Sequence, residues 1–466
     1  MDQSAFTSAD EIRTRFSRTM SDMYRSEVPQ YGTLMELVAE VNASTLSADP
    51  ALKADLERTD DLSRIDLERH GAIRLGTAEE LSTMRRLFAV MGMVPVGYYD
   101  LSVAGVPVHS TAFRPVREEN LARNPFRVFT SLLRLDLIED EALRAEAAEI
   151  LSRRRIFTDR ALALIETFER NGGLTDAEAD TFVCEAVETF RWHREATVDA
   201  ATYRRLNAAH RLIADVVSFK GPHINHLTPR TLDIDAVQAA MPGRGIAAKD
   251  VIEGPPTRRC PILLRQTSFK ALEEAIVFRG ETGEEAGTHT ARFGEIEQRG
   301  LALTRKGRAL YDERLASVRD EGGAGNAGGS YAERLATAFE AFPDDYDTLR
   351  REGLGFFRYA LTRKGEDAAS TGPASLDLET LVRDGHVAAY PIVYEDFLPV
   401  SAAGIFQSNL GGQEQRSYAA NARKDAFVAA LGAPVADEFE VYEAAQARSI
   451  EAVRAALRQT RQSSAA

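Results

Sequence analysis

Arg292-Phe293-Gly294-Glu295-Ile296-Glu297-Gln298-Arg299-Gly300 is the stretch whose reading sets the architecture. Glu295 and Glu297 alternate with Ile296, the period of two that belongs to a strand, so both carboxylates share one face. Two carboxylates on one face repel each other unless a cation lies near or solvent bathes them. The ordinary account is a half-exposed strand with a polar outer face. Gly294 shifts the balance a little towards a site, because a glycine inside a strand often marks the close approach of a ligand or a second backbone.

Working outward, His70 lies in Glu68-Arg69-His70-Gly71-Ala72-Ile73-Arg74. A spacing of four puts His70 and Arg74 on the same face whether the segment is helix or strand. A guanidinium beside a metal ion is unfavourable unless an anionic substrate lies between them, and the arginine fork matches a carboxylate. A second pair, His223 and His226, sits in Pro222-His223-Ile224-Asn225-His226-Leu227-Thr228-Pro229. Three apart, they cannot both face the same side of a strand. One is the better ligand: His226, beside the Thr-Pro turn, is preferred and His223 is held in reserve. Two imidazoles and one carboxylate with positions left open form the ligand set of a non-haem Fe(II) oxygenase. Residues so far apart in sequence meet only in a folded, β-rich core.

The 466 residues carry a net charge of −14, with 57 Lys+Arg against 71 Asp+Glu. Such a surface repels nucleic acid and anionic lipid. Leu-Thr-Arg-Lys-Gly occurs at 303–307 and again at 361–365; each copy reads as a basic turn between a strand and a helix rather than as part of a DNA-binding wing. The two cysteines, Cys184 and Cys260, have no CxxC or zinc spacing, which argues against a disulfide framework or a structural zinc site. The first residues lack the features of a signal peptide, and no apolar run approaches the ~18 residues that span a bilayer. A cytoplasmic protein without nucleic-acid or membrane partners is expected.

Helical spacing of Ile12, Phe16, Met20 and Met23 predicts a helix over 9–26, with another over 33–46. Thr77-Ala78-Glu79-Glu80 predicts a capping box opening a helix to about Met91. Strands are expected after Val94 and Val106 and near 213–219, 261–269, 274–279 and 289–298. Residues 137–213 read as almost wholly helical, 321–330 as a Gly/Ala-rich loop, and 331–341 and 437–460 as helices. The fold class is α+β: one elaborated domain over 1–466, a β core with a helical insertion at 137–213 and a helical and loop insertion at 300–390. No P-loop, GxGxxG or GxSxG motif is present.

Four stretches in order, ERHGAIRLGT (68–77), GPHINHLTPR (221–230), RFGEIEQRG (292–300) and EDFLPVSAAGIFQSNL (395–410), resemble the 2-oxoadipate dioxygenase/decarboxylase family. The likeness runs over most of the chain, and the FGEIEQR strand is also similar to the glutamate-bearing strand of 4-hydroxyphenylpyruvate dioxygenase. The resemblance implies a vicinal-oxygen-chelate-like core and Fe(II) held by His70, His226 and Glu295. It places Arg74, as a substrate-binding and catalytic residue, and Val400 with Ser401 against the distal substrate carboxylate. The implied reaction takes 2-oxoadipate and O2 to 2-hydroxyglutarate and CO2 within lysine breakdown, with no external reductant. The competing expectation is another metal-dependent enzyme on the same scaffold, an isomerase or a hydrolase.

Overall fold

The computed structural model describes residues 6–59, 61–67, 69–280, 283–322, 330–369, 377–398 and 420–463. By their contacts these gather into two compact units, where the sequence was read as one elaborated domain. The first comprises Met1–Glu253, Gln266–Gln298 and Phe397–Ala436; the second comprises Gly254–Arg265, Arg299–Asp396 and Asp437–Ala466. The protein is α+β, as expected. No helix among the described residues is long and apolar enough to cross a membrane.

The first unit is built on a five-stranded sheet. Its strands are β1 (Arg69–Leu75), β2 (Val94–Asp100), β3 (Val108–Arg114), β4 (Arg127–Leu133) and β5 (Leu227–Pro229), in the order β2-β3-β4-β1-β5. Helix Ala78–Val90 carries the chain from β1 to the far edge. Leu81, Met84, Leu87 and Phe88 recur at helical spacing along it and are buried. β2, β3 and β4 then return as an antiparallel meander, and β4 lies parallel to β1. This β-α-β-β-β unit is the frame of the core. β3 and β4 are buried at every position. Such strands carry no polar/apolar alternation, which is why β4 was not anticipated.

Thr77 caps helix Ala78–Val90 by accepting the Glu80 N–H at 3.1 Å. The capping box is only half formed: Glu80 Oε2 accepts from the Gly76 N–H at 2.7 Å and pairs with Arg154 Nη2 at 2.6 Å. The segment 213–219, expected as a strand, is largely helix Arg211–Val217, opened by His210, whose Nδ1 accepts the Leu212 N–H at 3.1 Å. Leu212 to Val217 are all buried, so the run has no periodicity to separate helix from strand, and the cap decides.

Two further strand pairings matter. β6 (Leu264–Ser268) pairs with β9 (Glu295–Arg299), and β7 (Glu273–Gly280) forms a hairpin with β8 (Gly283–Thr290). Helix Ala9–Glu27, capped by Ser8, ties the site-bearing segments together. Its buried Tyr24 hydroxyl lies 3.0 Å from the Asn225 carbonyl oxygen and 2.7 Å from that of Phe293. These carbonyls immediately precede His226 and Gly294-Glu295.

In the second unit β10 (Phe357–Leu361) pairs with β11 (Val387–Pro391), and both Leu-Thr-Arg-Lys-Gly copies turn out to be one structural clasp used twice. Thr304 Oγ1 accepts the Gly307 N–H at 3.1 Å and donates to the Gly353 carbonyl at 2.7 Å; Thr362 makes the same bonds with Gly365 and Gly385 at the same distances. Lys306 and Lys364 each donate to the carbonyl just before those glycines, Glu352 and Asp384, at 2.7 Å. A Cβ on Gly307 or Gly365 would stand 2.0 Å from a backbone oxygen. The lysines of this motif thus close helix ends.

Candidate metal centre

The register of the sheet builds the site. His70 on β1 lies opposite Arg127 on β4 and Thr228 on β5, so the three side chains stand abreast on one face. β9 presents Glu295 and Glu297 to that face. His70 Nε2 is 3.0 Å from Glu295 Oε1, and its other ring nitrogen, Nδ1, is 2.8 Å from Glu297 Oε2. The neighbours then divide the carboxylates between them. Thr228 Oγ1 donates to Glu295 Oε1 at 3.1 Å and Gln266 Nε2 donates to the same oxygen at 2.7 Å, while Arg127 Nη1 reaches Glu297 Oε1 at 3.4 Å. Arg127 is the cation beside Glu297, and the His70 ring stands between the two carboxylates.

His226, immediately before β5, brings Nε2 to 3.9 Å from Glu295 Oε1. One ligand atom from each of His70, His226 and Glu295 lies within 4.8 Å of the others, and all three residues are buried. Ligands about 2.1 Å from a common ion stand up to ~4.2 Å apart, so the gathering is close to metal-binding dimensions. Glu295 Oε2 is buried without a hydrogen-bond partner among the described residues. An anionic oxygen so placed is costly unless a cation meets it. Burial pushes His226 down to about 4, against the opposing pull of Glu295; it is a neutral ring with a lone pair to give. Burial opposes the charged form of His70 too, but Glu297 and Glu295 outweigh it and raise that imidazole above its ordinary value. Burial likewise works against ionised Glu295, yet His226 and His70 hold it below the usual carboxylate range. The donor set fits a divalent metal, and Glu297 lies behind His70, 2.8 Å from its other ring nitrogen.

The model of the 2-oxoadipate dioxygenase/decarboxylase family matches residues 16–409. The chain belongs to that family. The 2-oxoadipate dioxygenase/decarboxylase of Escherichia coli K12 is 59% identical over 441 residues, covering 95% of this chain and 97% of its own. That of Pseudomonas putida is 58% identical over 455 residues, covering 97% and 98%. Among solved structures, the hydroxyglutarate synthase from Pseudomonas putida in complex with 2-oxoadipate superposes with a TM-score of 0.90 at 55% identity, covering 97% of this chain and 99% of that one.

Within the family frame, the other residues singled out in the sequence fall as follows. Arg74 is buried on the same face of β1 as His70, and its Nη1 bonds Asp215 Oδ2 at 2.5 Å. His223 is not at the ligand cluster: its Nε2 is 3.2 Å from Asp215 Oδ1. The three-residue offset in an extended chain sends His223 and His226 to different surroundings. Val400 and Ser401 lie outside the described residues. Phe397, three residues before Val400, packs its ring edge-on against His70 at 4.9 Å and against Phe129 at 5.0 Å. On the sheet face between His70 and Arg74, Ala72 and Ser131 flank Phe129, with Ser110 across from Ser131. Sequence reasoning missed Asp215, Gln266 and Phe397. A lone carboxylate in the apolar run Leu212–Val217 was the one available signal for Asp215.

Gly294, expected inside a strand and close to a ligand or a second backbone, lies just before β9 and is crowded instead by a side chain. A Cβ there would stand 2.1 Å from Cε1 of the fully buried Phe269 ring. Gly294→Ala is expected to cost about 1–3 kcal/mol by overpacking, read as a lower urea midpoint at unchanged slope. An unchanged midpoint would show that the ring yields.

Proposed function

We propose that this chain oxidatively decarboxylates 2-oxoadipate with O2 and hydroxylates the same molecule, giving 2-hydroxyglutarate and CO2 at an Fe(II) ion held by His70, His226 and Glu295. The observation that carries the metal assignment is the convergence of these three buried residues, with Glu295 Oε2 left without a hydrogen-bond partner among the described residues. Membership of the family and the substrate seen in the Pseudomonas putida structure support the choice of reaction.

The atoms balance without a reductant. One oxygen of O2 enters the new carboxylate and the other the hydroxyl group. Decarboxylation and C–H oxidation each supply two electrons. Ferrous iron, when bound, gathers the 2-oxo acid and O2 at one centre and carries electrons between them. The protein's own groups do the rest. Two imidazoles and one carboxylate on one side leave the remaining positions open. Glu297 and Arg127 hold the His70 ring, and Thr228 with Gln266 hold Glu295, so the ligands are set before metal arrives. Arg74 receives the distal carboxylate, with Val400 and Ser401, and thereby selects chain length and keeps the reacting carbon near the metal. Phe397, backed by Phe129, covers His70 and keeps water from it.

The test is stoichiometry. Protein reconstituted with Fe(II) under nitrogen and then exposed to air should consume O2 and form CO2 and 2-hydroxyglutarate in equal amounts from 2-oxoadipate. Conversion of substrate without O2 uptake would place the chain among metal-dependent isomerases or hydrolases instead.

A further inference from the structure

Behind Arg74 stands a second buried polar array that the proposed chemistry does not use. Asp215, 5% exposed, is its centre. Its Oδ2 takes the Arg74 guanidinium at 2.5 Å, and its Oδ1 lies 2.8 Å from His289 Nε2 and 3.2 Å from His223 Nε2. Tyr203 Oη meets His289 Nδ1 at 2.8 Å; with that nitrogen accepting, Nε2 carries the proton and donates to Asp215. Asn225, beside His226 in the chain, places its side-chain oxygen 3.0 Å from Arg74 Nη1 in the amide orientation that satisfies both its ends. Trp192 seals the array, edge-on to His223 at 4.7 Å.

We propose that Asp215, fixed by His289, is the positioning residue of Arg74: it holds the guanidinium so that its fork faces the distal carboxylate of the substrate. This rests on the proposed role of Arg74. A guanidinium is a planar fork with five N–H donors, so holding one carboxylate does not preclude receiving a second. Two opposing effects follow from the negative charge of Asp215. It lowers the net attraction for an anionic substrate, and it removes the freedom of a long side chain. Positioning wins, because a buried cation deprived of its anion must move to find another partner, and a bidentate contact fails once the fork has turned.

The test compares 2-oxoadipate with 2-oxohexanoate, which has the same chain length and no distal carboxylate. Asp215→Asn should raise KM for 2-oxoadipate by about tenfold or more, the scale of a charge-assisted contact, while kcat and the kinetics on 2-oxohexanoate change little. A merely structural role would depress both substrates alike. Arg74→Gln is the reference arm. If Arg74→Gln erases the preference for the dicarboxylate and Asp215→Asn keeps it, the positioning role is overturned and the Arg74 role stands. If Arg74→Gln keeps the preference, both fall. Should Asp215→Asn not fold, His289→Ala carries the test: a loss of preference in the same direction supports the proposal, and unaltered preference overturns it.

Discussion

Glu295→Gln is expected to bind no iron and to turn over no 2-oxoadipate, whereas Glu297→Gln binds iron weakly and works when Fe(II) is in excess. The two glutamates share one face of β9 and differ by two positions, yet their surroundings differ in kind. Glu295 has one oxygen held by Thr228 and Gln266 and the other buried without a partner among the described residues. Glu297 stands behind His70, 2.8 Å from Nδ1, with Arg127 on its other side. Removing a carboxylate that orients a ligating imidazole costs roughly 10–100-fold in metal affinity. Removing a ligand costs more, and leaves the amide of glutamine against two imidazoles with no charge to offset the ion. Iron content after anaerobic reconstitution and gel filtration, measured beside turnover, separates the variants. Equal iron in both would show that the structural division between the two carboxylates has no bearing on the metal.

The second large effect is expected at Arg74. Arg74→Gln should raise KM for 2-oxoadipate by about 10–100-fold, corresponding to the loss of hydrogen bonds to a charged group, with iron content unchanged. Arg74→Lys should recover only part of this, because an ammonium supplies the charge without the bidentate fork. Steady-state kinetics with thermal melts in parallel decide it. Normal KM in Arg74→Gln would remove the carboxylate clamp from the account.

Much of this site was legible before the fold was known, and the reasons are geometric. Parity placed His70 and Arg74 together and separated His223 from His226, and in the structure His226 lies with His70 and Glu295 while His223 lies against Asp215. Parity could not divide Glu295 from Glu297, which project from the same side of β9. What divides them is lateral: Thr228 on β5 and Arg127 on β4, neighbours of His70 that only sheet register reveals. Tyr24 and Phe397 were equally hidden, since an aromatic in an amphipathic helix or a loop gives no hint of which carbonyl or ring it will meet. The helix at Arg211–Val217 was read as strand because a fully buried run has no solvent face to mark its period, and the same uniformity concealed β4. The α+β class, by contrast, followed from long, strongly periodic helices interleaved with short β-branched runs.

The central claim is that His70, His226 and Glu295 hold a catalytic Fe(II). Its most direct measurement is 2-oxoadipate turnover by protein stripped of metal under nitrogen, before and after addition of Fe(II). The account predicts no turnover from the stripped protein and recovery with Fe(II) but not with Zn(II). Full turnover by the metal-free protein would contradict it.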